Sequence, residues 1–177
     1  MEDKSSTLAL MKYSADRLKE LGADVYMADV KTLNLPIFSY KAMKGIRSEK
    51  FRLFITKVKS ADGFIFASPE YHGTVSSAFK NTIDFLEVLC EEKSTYLGMK
   101  PIGCIALGGA EVAGYATLNA MMNIVQSLRG IYAPGSLAIG YGSSLFNKKG
   151  ELINEQAKKR LERLSGEVYL LASKLKN

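Results

Sequence analysis

The chain has 177 residues, 47% hydrophobic and 24% charged, with a formal net charge of +6. That length and balance fit one folded domain with its own core and exclude a disordered or low-complexity chain. No apolar run approaches the ~18–20 residues that span a bilayer, and residues 1–6 are too polar for a signal peptide, so a cytoplasmic protein without a membrane partner is expected.

Taken in chain order, helical and strand periods alternate. Leu8, Met11, Ala15 and Leu18 recur at three- and four-residue spacing on one face of a helix that Gly22 ends. Residues 23–30 are predicted as a strand. A loop containing Pro36 leads to a helix over 48–60, carrying Phe51, Phe54, Ile55 and Val58. The continuous apolar run 63–67 reads as a strand buried on both faces of a parallel sheet. After a polar loop comes a helix with Phe79, Ile83, Leu86 and Cys90 in register. A strand over 101–107, a turn at Gly108 and Gly109, a helix over 117–129 and a strand within 131–140 follow. The last helix bears the stripe Ala157, Leu161, Leu164, Val168 and Leu171. Its basic group, Lys158, Lys159, Arg160 and Arg163, reads as a solvated face; without a basic aromatic motif beside it, no nucleic-acid partner is expected. Cys90 and Cys104 lie outside any Cys-x-x-Cys or Cys/His cluster and are expected to be buried free thiols, with no metal site. Strands alternating with helices of these lengths predict a single α/β domain over residues 1–177, its parallel sheet covered on both faces through right-handed crossovers.

In an open parallel sheet, ligands bind outside the carboxyl ends of the strands. The loop after 63–67 reads Ser68-Pro69-Glu70-Tyr71-His72-Gly73. Pro69 restricts its backbone and Gly73 frees it, so its amides can point at a ligand. Tyr71 and His72 offer flat rings suited to lie beside a heterocycle with polar edges.

This segment resembles the NADPH-dependent FMN reductase family, which also contains azo- and quinone-reducing members. The family pattern is Pro-Glu-Tyr-Asn-Gly, six residues, then Lys-Asn-x-Ile-Asp-Trp. The chain matches at Pro69, Glu70, Tyr71, Gly73, Lys80, Asn81, Ile83 and Asp84, with His72 at the usual Asn and Phe85 at the usual Trp. The resemblance implies a flavodoxin-like three-layer sandwich, FMN as cofactor and NAD(P)H as hydride donor. It also implies a small-molecule electron acceptor (quinone, azo compound, metal oxyanion or second flavin) and a homodimer or homotetramer. Pro69, Glu70, Tyr71, His72 and Gly73 would line the isoalloxazine ring, and Gly108 and Gly109 its pyrimidine side. Hydride transfer to a flavin needs no side-chain acid or base, so no catalytic residue is assigned. Lys80, Asn81 and Asp84 are expected to fix their helix rather than touch substrate. The helix over 117–129 is apolar on more than one face, which adds to the expectation of a dimer.

The family binds the flavin phosphate with a first strand ending in Gly-Ser-x-Arg, followed by Ser-x-Thr or Ser-x-Asn. Residues 1–8 match only the tail of that motif. Ser5, Ser6 and Thr7 are expected to cap the first helix and to donate to phosphate. In the flavodoxin-like strand order 2-1-3-4-5 the absent strand is an interior one. Its loss unpairs buried backbone groups at ~1–3 kcal/mol each. The expectation is therefore an N-terminally shortened version of a longer product, the alternative being that the two neighbouring strands close up directly. A non-catalytic flavodoxin-like electron carrier or scaffold is the rival reading; such carriers are acidic, and the +6 charge argues against one.

Overall fold

The protein is described by a computed structural model covering residues 5–92, 95–110, 113–140 and 145–176. Helix α1 (Ser6–Glu20) starts at Ser5, whose hydroxyl accepts from the Leu8 amide, and Arg17 and Lys19 in its last turn suit the negative end of the helix. Two short helices follow, α2 (Val30–Leu33) and α3 (Tyr40–Gly45), each opened by a capping side chain, Asp29 and Ser39. Helix α4 (Glu49–Ser60) turns Phe51, Phe54 and Val58 inward. Strand β1 (Phe64–Tyr71), strand β2 (Thr74–Val75) and helix α5 (Ser77–Asp84) come next, α5 tightening into a 3-10 turn over Phe85–Leu89. Then follow β3 (Pro101–Leu107), α6 (Tyr115–Ser127), β4 (Ile131–Tyr132), β5 (Leu137–Ile139) and α7 (Glu155–Leu175).

Strand β3 is the centre of the molecule, with all seven residues buried. The period of two divides its side chains between two cores. Ile102, Cys104 and Ala106 join α4, α5 and α6 on one face, while Ile105 and Leu107 join α1 and α7 on the other. β1 runs parallel to β3 in the register Phe64↔Ile102 to Pro69↔Leu107. Its residues alternate in the same way, Phe64 and Phe66 toward the first core, Ile65 and Ala67 toward the second. β4 and β5 take the other edge of β3 in succession, both parallel. The single strand expected within 131–140 is thus broken at Pro134 and Gly135. The Ser136 hydroxyl bridges the break, accepting from the Cys104 amide at 2.9 Å and donating to the Ala133 carbonyl at 2.7 Å. This three-layer α/β arrangement is the flavodoxin-like one.

The sequence expectation fails at residues 23–29, which join no ladder among the described residues. Ala23, Val25 and Met27 are half-buried while Asp24, Tyr26 and Ala28 are exposed, so the strand-like alternation is real but has no neighbour to pair with. This segment lies along α4, with Lys57 Nζ 4.0 Å from the Asp24 carboxylate and 6.0 Å from the centre of the Tyr26 ring. The two strands of the expectation do not close up. Along Phe64–Ser68, β1 therefore has ladder partners among the described residues on its β3 side only, which is why Phe64–Ala67 stays half-exposed where β3 is buried throughout.

Cys104 is buried as expected, but Cys90 is exposed. The 3-10 turn has three residues per turn, so the four-residue register that linked Leu86 to Cys90 is lost.

Candidate functional site

Two residues, His72 and Gly73, connect β1 to β2, and Tyr71 pairs with Thr74 across them. Both turn residues have positive φ, 51° at His72 and 77° at Gly73. This is the signature of a type I′ hairpin, whose backbone twist matches that of the strands it joins. It also explains why Asn-Gly would be the usual pair: Asn tolerates left-handed φ best after Gly, and His is among the other residues enriched there. A two-residue loop leaves the His72 and Gly73 amides outside the ladder, and both residues are exposed. Behind the turn, buried Ser68 accepts from the Ser76 amide at 2.9 Å, and Ser76 caps α5 by accepting from Phe79. The hairpin is therefore a tied-down element.

The alternation along β1 sends Glu70 to the α6 face and Tyr71 to the α1 and α7 face. Glu70 does not turn its carboxylate to the open rim. Its Oε2 accepts from the Gly114 amide at 2.8 Å, the Thr117 hydroxyl at 3.1 Å and the Thr117 amide at 3.4 Å. Tyr71 remains 61% exposed and free to present a ring. Pro69 is the last β1 residue in register with β3.

The loop after β3 divides its two glycines between two jobs. A Cβ on Gly108 would collide with Ala113, so Gly108 lets the loop fold back over the strand tip, and its amide is spent on the Ile139 carbonyl. Gly109 has open space around its α-carbon and is exposed. Glu111 and Val112 of this loop lie outside the described residues.

Where α1 begins follows from its partner. Tyr13 donates to Glu162 at 2.7 Å, and Gly22 lies beside the Tyr169 hydroxyl, so α1 and α7 run in the same direction. Along α7, Leu164 and Val168 pack at Gly103, Ala172 at Gly63, and Lys176 pairs with Asp62 just before β1. α7 therefore descends toward the amino ends of the strands, and α1 does the same. This brings Ser5, Ser6 and Thr7 to the carboxyl rim, on the face toward which Tyr71 points. The Ser5 hydroxyl is engaged in capping; the first-turn amides are those a helix leaves unpaired.

Lys80 and Asp84 form an ion pair within α5, and Asn81 pins the preceding loop by accepting from the Phe38 amide at 2.8 Å and donating to the Pro36 carbonyl at 2.9 Å. All three serve the helix and its neighbours. Sequence reasoning missed Gly114 and Thr117. The one available signal was a helix beginning after a glycine, with no capping side chain of its own. Surface depressions of about 390 Å³ beside Asn34 and Ser48 and of about 310 Å³ between Phe38, Tyr96 and Leu128 are lined by none of these rim residues. Among the described residues no cluster could hold a metal ion, and no helix is long and apolar enough to cross a membrane.

Residues 1–144 match the family described as NADPH-dependent FMN reductase. An NADPH azoreductase of Bacillus sp. (strain OY1-2) is 31% identical over 131 residues, 72% of this chain and 63% of its own length. An FMN-dependent NADPH-azoreductase of Staphylococcus haemolyticus is 32% identical over 138 residues, 76% of this chain and 69% of its own. The chain thus spans about two thirds of the relatives it matches. Among solved structures, an oxidoreductase from Corynebacterium diphtheriae superposes with a TM-score of 0.73 at 17% identity, covering 98% of this chain and 92% of that one, a likeness of fold. The chain belongs to the NADPH-dependent FMN reductase family, flavoprotein reductases that work with FMN and NAD(P)H.

Proposed function

We propose that residues 1–177 form a single FMN-binding domain whose carboxyl rim carries NAD(P)H-dependent reduction of a small acceptor such as an azo compound or quinone. The observation that supports this reading is that the His72–Gly73 turn and the Gly108–Gly109 turn follow two adjacent parallel strands, and the direction of α1 puts its first turn on the same carboxyl side. The donor set fits FMN. The amides of His72, Gly73 and Gly109 would hold the polar edge of a flat ring, Tyr71 would cover its face, and the first-turn amides with the Ser6 and Thr7 hydroxyls would receive the phosphate. The chemistry that FMN supplies when bound is two-electron transfer from a reduced nicotinamide to an acceptor.

The assembly we favour is a homodimer acting in the cytoplasm, where reduced nicotinamides are made. α6 does not carry that reading by itself: Met121 and Val125 are buried, Leu118 and Ile124 pack inward, and its outer face presents Asn119, Asn123 and Gln126. Ile37 and Tyr40, 90% and 62% exposed, offer apolar surface beside the groove at Phe38 and Leu128.

The test is to titrate the purified chain with FMN, following quenching of flavin fluorescence, and then to add NADPH without oxygen. Quenching followed by bleaching is expected. Failure to quench contradicts the reading, and bleaching only with a separate reductase makes the chain a carrier.

A further inference from the structure

We propose that Glu70 is a positioning residue, a long-range cap that locks the two ring-holding loops to each other. This rests on the reading of the rim as a flavin site and gives one of its residues a role away from the ring. Helix α6 has Gly114 as its N-cap, a residue with no side chain with which to cap it. The missing cap comes from 44 residues upstream: one oxygen of Glu70 takes the Gly114 amide and both the amide and the hydroxyl of Thr117. Thr117 is wholly buried, and Glu70 is the partner of its hydroxyl. A carboxylate at the positive end of a helix is favoured twice, by the unpaired amides and by the dipole.

Removing the carboxylate would orphan two amides and a buried hydroxyl, groups that cost most when left unpaired. More consequentially, it would free the tip of β1 from the start of α6. Each of those points anchors one loop: Tyr71 enters the His72–Gly73 turn, and Gly114 closes the loop that begins at Gly108. Glu70 thus sets the spacing between loops that it does not itself complete.

The experiment compares Glu70→Ala, Glu70→Gln, Thr117→Val and Thr117→Ser with the parent chain. Two readouts are taken well below melting: FMN affinity from fluorescence quenching, and amide exchange of the apoprotein. Glu70→Ala should weaken FMN about tenfold, with Glu70→Gln and Thr117→Ser recovering most of the loss and Thr117→Val falling between. Exchange should quicken together at Gly114 and Thr117 and at the Tyr71–Thr74 hairpin. Should Glu70→Ala fail to fold, Glu70→Gln and Thr117→Val carry the comparison. Exchange changes confined to α6, or weaker FMN binding with the hairpin unmoved, would overturn the proposal. A parent chain that binds no FMN would end the flavin reading instead, and the exchange pattern would then decide the coupling by itself.

Discussion

Tyr71 stands opposite Thr74 in the β1–β2 ladder with only His72 and Gly73 between them, and both of those residues carry left-handed backbone. A β-branched side chain at φ near 50° clashes with its own backbone and costs ~1–2 kcal/mol. His72→Val should therefore lower the urea-unfolding free energy by about that amount, whereas His72→Asn should leave it equal or higher. An unchanged His72→Val variant would show that the turn is not formed in solution.

Ser14 on α1 and Ser165 on α7 are 1% and 0% exposed, and neither hydroxyl finds a hydrogen-bond partner among the described residues. Both belong to helices packed together in the second core. Replacing either with alanine removes an unpaired polar group at little loss of volume, so each variant should gain about 1 kcal/mol in denaturant unfolding. A loss of stability in both would mean that the hydroxyls are satisfied, by water or by each other.

Burial, then the hydrogen bond to Glu162, pushes the Tyr13 phenol up from its usual 10.0 to about 12. The folded state holds this proton more tightly than the unfolded chain. The corresponding stability is complete below about pH 10 and is lost as the pH rises through about 12. Burial pushes the Cys104 thiol in the same direction, to about 12. Urea midpoints measured from neutral to strongly alkaline pH should fall, and Tyr13→Phe should flatten part of that fall while Cys104, Tyr96 and Tyr132, all shifted in the same direction, keep the remainder. An identical pH profile in Tyr13→Phe would rule out the α1–α7 contact as its source.

The same difference in burial separates the two thiols. A disulfide dye at neutral pH should modify Cys90 rapidly and Cys104 only after denaturation, because the thiolate is the reactive form and Cys104 is both buried and hard to ionise. Rapid modification of two thiols in the native protein would contradict the placement of β3 at the centre.

How much of this was legible in the sequence depends on how far apart the interacting residues lie. Residues 101–107 form the strand their pattern predicts, but the burial on both faces expected of 63–67 is found at β3 instead, because Phe64–Ala67 stay half-exposed on an edge that has no ladder partner among the described residues. The stripe from Ala157 to Val168 announced the buried face of α7. Residues 23–29 show the limit of periodicity: alternation reports which side chains face inward, but a strand also needs a neighbour, and the ladder partner is a property of the fold. The break at Pro134 and Gly135 has a local cause, since Pro lacks the N–H a ladder needs and Gly weakens a strand interior. At the rim, Tyr71, His72 and Gly73 could be named from local pattern because a tight turn is local. The destination of the Glu70 carboxylate could not, since Gly114 and Thr117 lie 44 and 47 residues away. Nor could the shared direction of α1 and α7, which is what brings Ser5, Ser6 and Thr7 to the same rim.

The central claim is that FMN lies across that rim, and amide NMR of the labelled chain during an FMN titration tests it most directly. The account predicts saturable shifts grouped at Ser6 and Thr7, at Tyr71 to Gly73 and at Gly109, with the grooves at Asn34 and Phe38 silent. Shifts gathered in either groove, or none at all at saturating flavin, would contradict it.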